Sequence, residues 1–186
     1  MTVAALEVWD TEPMHLETAR LRLREMTVDD LPDLRAILQD EQTMTAYEGA
    51  FDETMTQAWL ERMLGRYRDD GFGMWAVELR EKPRMIGQCG LTRQHILSQD
   101  VIEVGYLFNR AYWHQGYATE AATACVHCAF ERLKLDRVWA QIRDTNVASM
   151  NVARRLGMTE RGRFERHYRG VDMPHIAFAL DRADAE

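Results

Sequence analysis

The chain runs to 186 residues, 46% of them hydrophobic and 28% charged, with a formal net charge of −7. That is enough sequence for one substantial core and little for two, so residues 1–186 are read as one domain. The acidic balance argues against a nucleic-acid binder, and no run approaches the ~18 apolar residues of a membrane span.

Residues 1–16, "MTVAALEVWDTEPMHL", have neither the basic start nor the long apolar stretch of a signal peptide. They read as an irregular arm on a cytoplasmic protein. "RLRLRE" (Arg20 to Glu25) alternates strictly, with Leu21 and Leu23 on one face, and predicts a half-buried strand. Thr27 and Asp30 have the spacing of a capping box, with aspartate in place of glutamate. They open a helix that carries Leu31, Leu34, Ile37 and Leu38. A second helix, about Thr56 to Arg68, presents Trp59, Leu60, Met63, Leu64 and Tyr67 at helical spacing.

Trp75, Val77 and Leu79 alternate, "REKPR" turns, and Met85 to Leu91 returns, a hairpin. Gly87 and Gly90 suggest a bend or a close backbone approach in the returning strand. "RQHILSQD" (Arg93 to Asp100) reads as a loop before a strand at Val101 to Phe108. The clearest helix follows. Ala118, Ala121, Ala122, Cys125, Val126, Ala129, Phe130 and Leu133 make a continuous apolar stripe, rich in small residues. Arg137 to Arg143 is another strand, and a short helix runs between a polar cap at Asn146 and Gly157. "TERGRFERHY" and "MPHIAFAL" close the chain as strands. The order of elements predicts an α/β fold, a mixed sheet with helices packed on it.

The handover "WHQGYATE" (Trp113 to Glu120) places small residues where a strand gives way to a helix. Amides from about Gln115 to Thr119 have no partner inside the helix and lie at the positive end of its dipole. Gly116 and Ala118 leave the approach open, so the turn is a candidate anion seat, or else an ordinary connection. It matches neither G-x-G-x-x-G nor a Walker loop, so the anion is not expected to be the phosphate of NAD or ATP.

Three cysteines do not make a disulfide framework, and a reducing compartment fits them. Cys125 and Cys128 form C-x-x-C around His127, but the second pair of a structural zinc site is missing. They read as packed thiols, and no metal is expected.

"EVGYLFNRAYWHQGYATEAA" resembles the cofactor-binding segment of the GNAT superfamily of acetyltransferases. "NVASMNVARRLGM" is similar to that superfamily's second acetyl-CoA element, and "TARLRLREMTVDDL" to the opening of its branch that acetylates the N-terminal amines of ribosomal proteins. The three stretches stand in the family's order, and the resemblance covers the chain from about Thr18 to Leu180. Trp113 and His114 depart from the usual motif, which touches a side-chain contact rather than the backbone cradle.

The resemblance implies a mostly antiparallel mixed sheet of about six to seven strands with splayed central strands, and about four helices. It implies acetyl-CoA as co-substrate and a primary amine as acceptor, either a protein N-terminus or a small amine. The pantetheine arm would pair with the backbone at Tyr106, Leu107 and Phe108, and the pyrophosphate would sit on amides from His114, Gln115, Gly116, Tyr117, Ala118 and Thr119. Asn146, Ser149 and Asn151 would face the other side of the arm. Glu103 is the candidate base, acting through water, or a solvated strand glutamate. Ser149 is the candidate donor to the departing thiolate, or merely a helix cap. The tyrosine some relatives carry for that step is replaced by Ala153. Tyr47, Glu48, Phe51, His167, Tyr168 and His175 are candidates for the acceptor pocket. An acidic surface would suit a cationic acceptor or serve solubility alone. A monomer or homodimer is expected. Two other readings stand beside this one: a CoA-binding sensor or partner-binding module without turnover, and a metal-binding protein using Cys125 and Cys128.

Overall fold

The computed structural model describes residues 14–185 of the chain. Its strands are β1 (Leu16–Glu17), β2 (Leu21–Arg24), β3 (Met74–Leu79), β4 (Lys82–Ile96), β5 (Gln99–Phe108), β6 (Arg137–Arg143), β7 (Thr159–Tyr168) and β8 (Val171–Asp181). They form one eight-stranded sheet in the order β1-β2-β3-β4-β5-β6-β8-β7. Every neighbouring pair is antiparallel except β5 and β6. The strand count exceeds the expected six to seven because Leu16–Glu17, where the expected irregular arm ends, pairs with β2. Residues 1–13 of that arm lie outside the described residues.

Four α-helices complete the fold: α1 (Leu31–Leu38), α2 (Glu53–Asp70), α3 (Tyr117–Glu131) and α4 (Val147–Arg155). The Thr27–Asp30 capping box is formed, with the Thr27 amide donating to Asp30 Oδ2 at 2.8 Å. Helix α2 starts earlier than its apolar stripe because Asp52 caps it, accepting from the Met55 amide at 2.7 Å. Helices cover both faces of the sheet. Trp75 and Val77 pack with α3 on one face, whereas Met74 and Ala76 pack with α1 and α2 on the other. Strand β3 is therefore buried on both faces from Met74 to Glu78.

The loop expected at Arg93 to Asp100 is instead strand. Pairs run from Arg93 opposite Ile102 to Ile96 opposite Gln99, and only Leu97 and Ser98 turn. Both are left-handed, with φ of 49° and 63°, which is the twist a two-residue hairpin turn needs. Neither is the glycine or asparagine that usually signals it. Packing of Ile96, Leu97 and Val101 with Trp139 and Phe164 holds the turn in place.

Two glycines in β4 meet the close approaches that their positions suggest. A Cβ at Gly90 would collide with the Gly73 carbonyl, and one at Gly87 with the Phe108 ring. On the helical side, Cys125 of α3 lies with its sulfur 3.5 Å from that of Cys89 in β4, so the small residues of the stripe do bring the helix down onto the sheet. The decisive feature is the junction of β5 and β6. They share one register pair, Glu103 opposite Trp139, and beyond it the strands part. Each stays fully paired on its other side, β5 with β4 and β6 with β8.

Candidate active site

The gap opens toward the ends of β5 and β6, where α3 and α4 begin. After Phe108 a short turn capped by Asn109 folds the Trp113 indole back, its Nε1 donating to the Phe108 carbonyl at 2.8 Å. His114 and Gly116 are both left-handed, with φ of 60° and 80°. Alternating such residues turns successive N–H groups toward one side. Gly116 is the N-cap of α3 and no side chain caps the helix, so the amides of the first turn remain available to an anion.

This turn is strapped to the far edge of the sheet. Glu120 Oε1 accepts from the Thr18 hydroxyl at 2.6 Å and the Arg20 amide at 2.9 Å, while Oε2 accepts from Arg20 Nε at 2.7 Å. Arg20 also reaches the Gln115 carbonyl at 3.0 Å and lies over the Tyr117 ring. Burial pushes the Glu120 carboxyl up, but the bonds from Thr18 and Arg20 outweigh it and hold the group below the usual carboxylate value. Sequence gave no sign of this strap, since its partners lie far apart in the chain.

A cleft of about 600 Å³ occupies the gap. Tyr106, Leu107 and Phe108 line it from the open side of β5, and His114, Gly116, Tyr117, Ala118 and Thr119 from the α3 turn. Asn146, Ser149 and Asn151 line it from α4. The structure thus brings together all the residues expected around the cofactor except Gln115, whose carbonyl is held by Arg20 away from the lining. Asn146 Oδ1 accepts from the Ser149 amide at 3.1 Å, and the Tyr106 hydroxyl donates to the Ser149 carbonyl at 3.0 Å. These two bonds fix Ser149 by its main chain, leaving its side chain to the gap. Asn151 is exposed, and its Oδ1 accepts from Arg154 at 3.2 Å.

A second cavity, of about 330 Å³, lies on the Glu103 side of the junction. Tyr106, Leu107, Asn146 and Ser149 line both spaces. Glu103 is not a solvated surface residue. Its Oε1 accepts from the Gln141 amide at 3.2 Å and its Oε2 from Gln141 Nε2 at 3.0 Å. Burial raises its pKa above the ordinary carboxylate value, although Gln141, Arg166 and Arg66 each pull the other way.

Of the expected acceptor-pocket residues, Tyr47, Tyr168 and His175 line this cavity. Burial, with the nearby Glu103, pushes the Tyr47 hydroxyl up to about 12. His175 Nδ1 lies 2.8 Å from the Met173 carbonyl, which can only accept, so that nitrogen carries the proton and Nε2 is left as an acceptor. Burial lowers the His175 pKa. Glu48 instead pairs with Arg143, Phe51 is packed beside Tyr47 and Trp59, and His167 pairs with Asp172 on the exposed hairpin at 2.7 Å. Sequence reasoning missed Gln141 and the lining arginines Arg62, Arg66, Arg143 and Arg166. Arg62 and Arg66 look like a solvated helix face by spacing, so no local signal marks them.

Cys89, Cys125 and Cys128 are free and buried. Burial, with Cys89 alongside, raises the Cys125 thiol pKa, the opposite of nucleophile activation. Among the described residues no group of three or more His, Cys, Asp or Glu side chains is placed to hold a metal ion, and no helix is long and apolar enough to cross a membrane.

A family model described as an acetyltransferase (GNAT) domain matches residues 20–159. The Bacillus subtilis protein YkkB is 37% identical over 144 residues, covering 77% of this chain and 84% of its own length. The Bacillus subtilis N-acetyltransferase YnaD is 29% identical over 154 residues, covering 82% of this chain and 87% of its own. The crystal structure of an acetyltransferase from Agrobacterium tumefaciens superposes with a TM-score of 0.78 at 26% identity, covering 96% of this chain and 100% of that one. The matched region contains every residue of the larger cleft. The chain belongs to the GNAT family of acetyltransferases.

Proposed function

We propose that the protein transfers an acetyl group from acetyl-CoA to a primary amine by direct attack. The observation that carries this reading is the meeting of two cavities at Tyr106, Leu107, Asn146 and Ser149, with uncapped helix amides on one side and a desolvated carboxylate on the other. Acetyl-CoA supplies a thioester carbonyl that an amine can attack. Amides of His114 and of Gly116 to Thr119 bind its pyrophosphate, and the backbone of Tyr106 to Phe108, unpaired with β6 past Glu103, takes the extended arm as an added strand. Asn146, Ser149 and Asn151 bound the arm on its other side.

Glu103 takes a proton from the acceptor ammonium through water, which frees the nitrogen lone pair. The nitrogen–carbon bond forms, the carbon–sulfur bond breaks, and the Ser149 hydroxyl gives its proton to the departing thiolate and regains one from the newly acylated nitrogen, which leaves a neutral amide, free thiol and an intact serine. Holding both reactants at the junction supplies the proximity that direct transfer requires. Release of free thiol from acetyl-CoA in the presence of a panel of primary amines tests the reading. Amine-dependent thiol release supports it, and acetyl-CoA binding without transfer to any amine would favour a non-catalytic CoA-binding module.

A further inference from the structure

The cavity around Glu103 is cationic in a chain whose formal net charge is −7. Arg62 and Arg66, one turn apart on α2, line it together with Arg143 at the end of β6 and Arg166 on β7. Glu103 is the one carboxylate among the lining residues. Arginines elsewhere on the surface are mostly matched to carboxylates, as in Arg35–Glu53 and Arg93–Asp70. In the cavity only Arg143 has such a match, with Glu48, while Arg62 rests over the Trp59 ring.

Two of these arginines also carry unmatched hydrogen-bond donors. Arg66 Nη1 and Arg143 Nε are buried without a partner, and so is the Oγ1 of Thr43, a lining residue only 6% exposed. A buried donor left unpaired is costly, and a charged one more so. An anion in the cavity would offset the charge of these arginines. A dication such as a polyamine would add like-charge repulsion to it. Glu103 at the strand junction suits an ammonium, and the arginines of α2, β6 and β7 suit a negative group on the same molecule. The volume of about 330 Å³ is at the lower end for a small-molecule site.

We propose that the acceptor is a small zwitterionic amine whose carboxylate or phosphate is bound by Arg66 and Arg166, with Arg62 and Arg143 beside them. This rests on the acetyl-transfer reading above and narrows its acceptor. It excludes polyamines and aminoglycosides as preferred substrates and ranks an unadorned peptide N-terminus below a charged metabolite.

The test compares kcat/KM for thiol release within matched pairs: β-alanine against β-alaninamide, and phosphoethanolamine against ethanolamine. Putrescine and an alanine-leading tetrapeptide amide serve as further acceptors. The anionic member of at least one pair should exceed its neutral partner, putrescine and the peptide by about tenfold or more, and the pair that responds separates carboxylate from phosphate. Arg66→Gln and Arg166→Gln should each shrink that preference through KM. Equal or better use of the neutral amines, putrescine or the peptide would overturn the inference. The same compounds are titrated calorimetrically into protein saturated with CoA, which answers even without turnover. Tighter binding of the anionic members there, with no transfer, upholds the charge inference and sinks the transferase reading. Equal or reversed binding overturns the charge inference itself.

Discussion

Glu103 and Gln141 are bonded twice across the point where β5 and β6 part, once through the Gln141 amide and once through its side chain. The carboxylate is thereby held on the wall of the smaller cavity, in surroundings that raise its pKa by burial. A base so placed is nearer the pKa of useful proton transfer than a solvated glutamate. Glu103→Gln should lower kcat by about a hundredfold or more and leave acetyl-CoA affinity within a factor of about two. The acid limb of the wild-type rate profile should lie above the ordinary carboxylate range and be absent in the variant. Retention of both rate and limb would remove Glu103 as the base.

The same group has a stability signature. The folded protein holds this proton more tightly than the unfolded chain, whose glutamate titrates near 4.5. Stability from Glu103 is therefore present in acid and declines as pH rises from about 4.5 through the higher folded value. Glu103→Gln cannot lose that proton, so its melting temperature at pH 7 should exceed that of the wild type, and the gap should close toward pH 4. A variant less stable at pH 7 than at pH 4 relative to wild type would contradict the assigned direction.

The strap between Glu120 and Arg20 titrates the other way. The Glu120 carboxyl is held below its ordinary value, so its contribution is present above about 4.5 and is lost as pH falls through the folded value. Arg20 is half exposed, and solvent weakens the pair. Glu120→Ala should cost about 1 kcal/mol by urea denaturation at pH 7 and weaken acetyl-CoA binding by loosening the turn at Gln115. An unchanged midpoint and affinity would show that the strap carries neither.

Gly90 has no such tolerance. A side chain there meets the Gly73 carbonyl, which is backbone and cannot swing aside, and Gly73 already accepts from the Leu91 amide at 3.2 Å. Gly90→Ala should destabilise the protein by about 3 kcal/mol or more, measured by denaturant unfolding, whereas Gly65→Ala on the surface of α2 should not.

Local pattern carried most of the fold. The stripe from Ala121 to Phe130, the capping box at Thr27 and the caps at Asn146 and Gly157 are set by neighbours a few residues away, and they are where the spacing puts them. The turn at Leu97–Ser98 was illegible because its left-handed residues are held by distant packing against Trp139 and Phe164, not by their own preference. The site divides along the same line. The amide cradle is one contiguous segment and could be read, whereas Gln141 meets Glu103, and the α2 arginines Arg62 and Arg66 come onto one cavity with Arg143 and Arg166, only after the sheet has formed.

The central claim is that the uncapped turn at Gly116 holds the anion of acetyl-CoA. Calorimetric titration of acetyl-CoA into the wild type and into Gly116→Trp tests it most directly, with circular dichroism to establish that both are folded. Gly116 has a φ of 80°, and a Cβ there would meet Arg20 Nη2 at 3.5 Å, so an indole both strains the turn and disturbs the arginine that straps it. The account predicts stoichiometric binding by the wild type and a loss of about a hundredfold or more in the variant. Equal affinity in two folded proteins would place the cofactor elsewhere and contradict the account.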